Sequence, residues 1–224
     1  MRTLLVLASR NGWNTEDVRS SAVFVGSLDA LVGVLAAGEL LDVASGADVV
    51  IVPTAAAFTG LAEAAVTTSS AFDDVSANVE ALMIGDRRAC SERYFVERII
   101  GADVVVLCDG SSLHAKSVWR QTPVGDALRG ARQLVAIGTC ASVLGDVMID
   151  PRGGAPTTGL GYRPGLCVGV RASDDQLTRT RDLLGSDVTL VVLGPIGVVY
   201  FDGSAWHQGS DDVVVTRGHK VVAL

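Results

Sequence analysis

The chain has 224 residues, of which 49% are hydrophobic and only 5% aromatic, and it carries a formal net charge of −7. This length fits one large domain over residues 1–224. The acidic balance excludes the basic surface that nucleic-acid binding requires, and it gives no attraction to anionic membranes. With few aromatic residues, the core must consist mainly of Val, Leu, Ala and Ile, as in a buried parallel sheet flanked by helices.

The first half of the chain alternates between strand-like and helical patterns. Residues 2–8 form an apolar run too short for a membrane span and end in a turn, which indicates a first strand and not a targeting segment. Residues 28–44 have apolar side chains at helical spacing, and residues 48–53 are typical of a buried strand. We also expect a loop with a short helix over residues 54–74, a strand over 79–84 and an amphipathic helix over 90–100.

The second half begins with the clearest strand of the sequence, residues 102–107. Its polar end leads into a helix predicted over residues 113–129. The remaining predicted elements are a strand over 133–137 with a sharp turn behind it, a Gly- and Pro-rich connection over 148–162, a strand over 166–170, a helix over 175–184, and β runs at 188–193, 197–201 and 213–216. Asp202-Gly203 is typical of a hairpin turn.

This alternation predicts an α/β fold with a mostly parallel central sheet, helices on both faces and a C-terminal β-hairpin. The cysteines bear on metal binding: they form no CxxC pair and have no nearby histidine at zinc spacing. They are Cys90, Cys108, Cys140 and Cys167. We therefore expect no metal and no cofactor, and a reduced, cytoplasmic setting.

Three segments of the second half carry recognisable motifs. Cys108-Asp109-Gly110-Ser111-Ser112, with Thr122-Pro123 behind it, is similar to a TGGDQ…GTP block. Gly138-Thr139-Cys140-Ala141-Ser142, followed by Leu144-Gly145-Asp146, is similar to an AGTSAGA…LGD elbow. Gly159-Leu160-Gly161 and the closing residues 197–203 match a GLGLLPG loop and a terminal hairpin. In this combination and order, the motifs resemble the S51 peptidase and cyanophycinase family.

The resemblance implies the three-layer fold of class I glutamine amidotransferases, whose parallel sheet carries a nucleophile at a strand-to-helix elbow. Counting from Gly138 puts Cys140 on the family's serine and makes it the candidate nucleophile. Its thiol would lie at a helix N-terminus, which lowers a thiol pKa, and the N–H groups of Ala141 and Gly110 would be the oxyanion donors. Counting back from Leu144-Gly145-Asp146 leaves the elbow about two residues short, so that the nucleophile is deleted and Cys140 is a turn residue. The sequence leaves both alignments open.

Other positions of the family pattern have changed. Arg171 occupies the family's histidine position, and an arginine stays protonated and cannot act as a general base. His114, one turn into the helix after Ser112, is the candidate base, and an exposed helix residue is the alternative. Asp109 replaces a glycine and Ser112 a polar amide. Arg171 can hold a carboxylate through its planar guanidinium, or it can pair with a nearby aspartate at the surface. The candidate ligand-binding residues are therefore Asp109, Ser112 and Arg171.

Three functions remain open. The first is a hydrolase of amide or peptide bonds with Cys140 as nucleophile, the formal assignment by resemblance. The second is a catalytically silent member that binds a peptide or amino-acid-like ligand. The third is an interaction or scaffold subunit, in a homodimer or a hetero-oligomer with an active homologue. The replaced serine, histidine and glycine predict negligible activity on aspartyl dipeptides and cyanophycin-like polymers.

Overall fold

The computed structural model describes residues 21–41, 43, 45–185 and 187–224, so the strand predicted over residues 2–8 lies outside the described residues. In chain order the strands and helices are β1 (Ser21–Val25), α1 (Leu28–Ala37), β2 (Asp48–Val52), α2 (Leu61–Ser69), β3 (Asn78–Ala81), α3 (Arg93–Gly101), β4 (Val104–Leu107), α4 (Ser112–Trp119), α5 (Pro123–Arg129), β5 (Gln133–Ile137), α6 (Thr139–Ser142), β6 (Gly145–Met148), β7 (Thr157–Thr158), β8 (Arg163–Val170), α7 (Asp174–Leu183), β9 (Thr189–Leu193), β10 (Val198–Phe201), β11 (Trp206–Gln208), β12 (Val213–Arg217) and β13 (Lys220–Val221).

The larger of two sheets has seven strands in the order β11-β10-β1-β5-β4-β2-β3. From β1 to β3 all neighbours run parallel, whereas β10 pairs antiparallel with β1 and β11 with β10. The central strands are runs of Val, Ile, Leu and Ala buried on both faces, as expected of a parallel sheet covered by helices. β10 and β11 form the predicted hairpin, and its turn is held by the Asp202 carboxylate, which accepts from the N–H groups of Ser204 and Ala205.

A second sheet of six strands, in the order β13-β12-β9-β8-β6-β7, departs from the prediction of one central sheet. β6, β8 and β9 run parallel, and the outer strands are antiparallel. β7 lies within the Gly- and Pro-rich connection predicted over residues 148–162, and β6 ends where that connection begins. The α/β class, the mostly parallel pairing, the helices on both faces and the terminal hairpin are confirmed.

The core is layered around these sheets. On one face of the larger sheet, Val23, Ile51 and Val106 share a hydrophobic cluster with Leu31 of α1. The opposite face packs against α3 to α6, and the same cluster continues into the smaller sheet through residues such as Val168. α7 covers the outer face of the smaller sheet. Among the described residues, no helix has the length and apolar character needed to cross a bilayer.

Two helices differ from the prediction for identifiable reasons. α1 ends at Ala37 and not at residue 44, because Gly38 takes a left-handed conformation and its N–H caps the Val34 carbonyl. The helix predicted over residues 113–129 is two helices, α4 and α5. The second begins anew because the Thr122 side chain caps it and Pro123 occupies its first turn.

Candidate functional site

The elbow, defined here as the strand-to-helix turn at Gly138, lies where β5 ends and α6 begins. Gly138 has φ 59° and ψ −137°, a conformation that suits glycine and strains other residues. In nucleophile elbows the residue on the strained turn itself carries the nucleophile. Gly138, the residue on the strained turn, carries no side chain that could act as a nucleophile.

The Asp109 carboxylate fills the space beside Gly138. A Cβ on Gly138 would lie 2.3 Å from Cγ of Asp109 and 2.4 Å from each carboxylate oxygen. The carboxylate is fixed there because Oδ1 accepts from the N–H of Gly110 at 2.7 Å, and from the N–H and hydroxyl of Thr139, both at 2.9 Å. The Asp109 side chain, which follows the end of β4, thus occupies the space at the elbow.

Arg171 pairs with this carboxylate. Its Nη2 lies 2.5 Å from Oδ2 of Asp109 and 2.7 Å from Oδ1. The side chains of Arg171 and Asp109 are 58% and 30% exposed, so solvent screens the pair and its contribution to stability is modest. Arg171 also has φ 53°, which is uncommon for a residue other than glycine. The positions that the resemblance assigns to a glycine and a histidine are joined here as an ion pair.

Cys140 lies in α6 with its side chain fully buried in the main hydrophobic cluster. Burial raises the pKa of its thiol well above the ordinary value, and Cys108 and Asp109 act in the same direction. α6 has only four residues, so its dipole offers little compensation. The expectation of an exposed, activated thiol at Cys140 is contradicted by this placement, since a protonated, enclosed thiol is not a nucleophile.

His114 is held away from the elbow. Its Nε2 lies 2.9 Å from the carbonyl oxygen of Gly85, and its ring packs edge-on against Phe58 with the centroids 4.8 Å apart. Because a carbonyl oxygen only accepts, Nε2 carries the proton in this contact. The arrangement does not bring His114 to the elbow as a general base.

The predicted oxyanion donors are already engaged. The N–H of Gly110 donates to Asp109, and the N–H of Ala141 donates to the Gly138 carbonyl at 3.0 Å. Gly110 has a separate structural requirement, because a Cβ there would lie 2.3 Å from the carbonyl oxygen of Ala55. Neither N–H is free for an oxyanion in this conformation.

A cavity of about 260 Å³ opens beside the elbow, between the first turns of α4 and α6 and the end of β8. We call it the elbow cavity. Its lining residues are Ser112, Thr139, Ser142, Ile149, Pro151, Val168, Val170, Arg171, Ala172 and Gln176. Two of the three predicted ligand-binding residues, Ser112 and Arg171, thus meet at one cavity, and Asp109 contacts it through Thr139 and Arg171. In the described residues, no group of three or more His, Cys, Asp or Glu side chains is arranged to hold a metal ion.

The sequence placed Gly138 and Thr139 in the elbow motif, but it did not identify Gly138 as the strained residue or Thr139 as a partner of Asp109. The spacing from Leu144-Gly145-Asp146, which the sequence left as one of two alignments, is the signal against Cys140 as the nucleophile. Thr139 gives no such signal, because its role depends on the hydroxyl meeting Asp109 and the Gly110 carbonyl.

Comparison with solved structures finds peptidases. A peptidase from an acI-B1 actinobacterium aligns with a TM-score of 0.69 at 15% identity, over 92% of this chain and 97% of that chain. A candidate peptidase E from Listeria monocytogenes EGD-e aligns with a TM-score of 0.61 at 11% identity, over 88% of this chain and 98% of that chain. No protein-family model and no curated protein matches the sequence. The chain has the α/β fold of these peptidases.

Proposed function

We propose that this chain is a catalytically silent protein with a peptidase fold, which binds a small peptide or amino-acid-like ligand without cleaving it. The observation that carries the proposal is the state of the elbow. Gly138 supplies no nucleophile, and the Asp109 carboxylate fills the space where a side chain would project.

Peptide hydrolysis by this kind of site requires a nucleophile, a base and a set of oxyanion donors acting together. Arg171 is a permanent cation at the position of the base and cannot take up a proton. The hydroxyl nearest the elbow, that of Thr139, is bonded to an Asp109 carboxylate that Arg171 already holds. The N–H groups of Gly110 and Ala141 are used within the chain. None of these groups is therefore free to take part in hydrolysis.

The competing function is hydrolysis with Cys140 as nucleophile, which the peptidase fold favours. It requires the Cys140 thiol to leave the hydrophobic core and to lose a proton that burial retains. Binding requires neither change, since Arg171 and the elbow cavity are open to a ligand in the present conformation.

The test is an assay of the purified protein against an N-terminal aspartyl dipeptide, a cyanophycin-like polymer and a mixed peptide library, with products followed by mass spectrometry. An active peptidase E serves as positive control. We expect no cleavage above the buffer rate by the wild-type protein, Cys140→Ser or Arg171→His, because members of a catalytic set act as a unit. Cleavage that disappears in Cys140→Ala would establish the hydrolase instead.

A further inference from the structure

We propose that the elbow cavity binds a small carboxylic acid with one compact apolar group, and that Arg171 and Ser112 hold its carboxylate. This inference rests on the proposed function, because it assigns a ligand class to the same silent site. Free guanidinium donors on Arg171, an unpaired hydroxyl on Ser112, and the size and polarity of the wall support it.

Arg171 offers the cavity hydrogen-bond donors that suit a carboxylate, while its charge is balanced by that of Asp109. Among the residues that line the cavity only Arg171 is charged. Its Nη2 is committed to Asp109, whereas Nε and Nη1 have no hydrogen-bond partner within the described part of the chain. A guanidinium presents its N–H donors in a planar fork that matches a carboxylate. Arg171 therefore retains donors for a second carboxylate besides that of Asp109.

Ser112 supplies a second anchor. It lies in the first turn of α4, is only 4% exposed and lines the cavity. Its hydroxyl has no hydrogen-bond partner among the described residues. The other uncharged polar groups of the wall are committed: Ser142 donates to the Thr139 carbonyl, and the Gln176 amide bonds Ser173 and the Asp150 carbonyl. A carboxylate oxygen, which only accepts, would satisfy the Ser112 hydroxyl.

The rest of the cavity wall restricts the size and polarity of the ligand group that faces it. Ile149, Pro151, Val168, Val170 and Ala172 present aliphatic surface. Binding cavities for drug-sized ligands span roughly 300–1,000 Å³, so a volume of about 260 Å³ suits a molecule near the size of an amino acid. A second charged group against this wall would be desolvated without a partner. The structure thus favours a branched aliphatic monocarboxylate over an acidic dipeptide.

The experiment is isothermal titration calorimetry with isovalerate as the probe. Isovaleramide has nearly the same shape without the charge, and isoamylamine carries the opposite charge. We expect the wild-type protein to bind isovalerate and neither of the other two. Arg171→Gln should abolish binding, and Ser112→Ala should weaken it about tenfold or more, since a hydrogen bond to a charged group is lost.

Two further variants separate the cavity from general effects. Ala172→Leu fills part of the cavity at a half-buried position and should block binding while leaving the charges intact. Arg88→Gln removes an exposed positive charge outside the cavity and should bind as the wild type does. Circular dichroism checks that each variant is folded, and if Arg171→Gln does not fold, Ser112→Ala and Ala172→Leu test the same site.

The absence of heat with isovalerate, or equal binding of isovaleramide, would overturn the inference. Unchanged binding in both Ser112→Ala and Ala172→Leu would do the same. None of these outcomes depends on hydrolysis, so they reject the ligand class alone. Cleavage of a peptide in the assay above rejects the proposed function.

Discussion

Gly138 and Asp109 are packed so closely that any side chain at position 138 overlaps the carboxylate at position 109. The nearest atom, Cγ of Asp109, would lie 2.3 Å from a Cβ. The positive φ of Gly138 adds backbone strain for any L-residue. We expect Gly138→Ala to lower the free energy of unfolding by about 1–3 kcal/mol, measured by urea denaturation.

A double-mutant cycle separates the overlap from the strain. Asp109→Gly in the Gly138→Ala background should recover part of the loss, because the clash is removed while the strain remains. Gly130→Ala is the matched control: Gly130 has φ −90°, and the nearest atoms to its added Cβ are 3.8 Å away. Strict additivity of the two substitutions would show that Asp109 does not fill the elbow.

The second prediction concerns the reactivity of the cysteine thiols. All four cysteines are free and buried, and burial raises the pKa of each. We expect iodoacetamide at neutral pH to label all four slowly in the native protein and rapidly after unfolding, as measured by mass spectrometry. Labelling of Cys140 should be no faster than that of Cys90. Selective labelling of Cys140 below pH 7 would restore it as an activated nucleophile.

Alkaline pH should destabilise the protein through the same thiols. Burial raises the pKa of Cys108 to about 11 and that of Cys167 to about 12, from an ordinary value of 9.0. The folded pKa lies above the unfolded one, so the stability is fully present below pH 9 and is lost as the pH rises towards 11–12. At pH 10 each thiol should cost about 1 kcal/mol relative to neutral pH.

The measurement is urea denaturation at pH 8 and pH 10 for the wild type and Cys167→Ala. The variant is less stable at pH 8 but should lose less between the two pH values. An identical pH dependence in both proteins would contradict a buried, neutral Cys167.

The Thr54 hydroxyl links the segment after β3 to α4, because it donates to the Ile84 carbonyl at 2.7 Å and accepts from Nε1 of Trp119 at 3.3 Å. Its side chain is fully buried. Thr54→Val keeps the shape but leaves both partners unpaired, and should cost about 2 kcal/mol or more in unfolding free energy. Thr54→Ser retains the hydroxyl and should cost less. Equal stability of the two variants would contradict this role.

Arg163 is a buried cation, 8% exposed, whose Nε and Nη2 have no partner in the described residues. Burial lowers its pKa. Replacing a poorly compensated buried charge by an apolar side chain of similar length is often stabilising. We expect Arg163→Met to raise the unfolding free energy by about 1 kcal/mol, whereas Arg93→Met, at a solvent-exposed side chain, should change it little. A loss of stability would show that the contacts of Arg163 with the Tyr162 carbonyl and the Phe201 ring outweigh its desolvation.

The sequence predicted strands correctly where both faces of the strand are buried, because burial restricts the composition to apolar residues. Most of residues 133–137, 48–53 and 102–107 are continuous runs of Val, Ile, Leu and Ala, and they form β5, β2 and β4. Ser21–Val25 has the same character and forms β1, but no strand was predicted there. The break between α4 and α5 was also readable, since Thr122-Pro123 is a helix-start signal.

The site was less predictable because it depends on backbone geometry and on contacts between distant residues. Gly138 and Cys140 are both small residues of the same motif, and the φ and ψ angles identify Gly138 as the strained residue of the turn. Asp109 and Arg171 follow strands of different sheets, β4 and β8. No local sequence pattern indicates that Asp109 and Arg171, which both differ from the family motif, form an ion pair.

The position of β1 has a consequence for synthesis of the chain. β1 lies between β5 and β10, and Val23 pairs with Val135 on one side and with Tyr200 on the other. As the chain leaves the ribosome, β1 has neither neighbour until residues 133–137 have emerged, and its second edge stays open until residues 198–201 follow. An open apolar strand edge is a template for pairing with other chains. A nascent or truncated chain that stops before Val198 therefore leaves one edge of β1 unpaired.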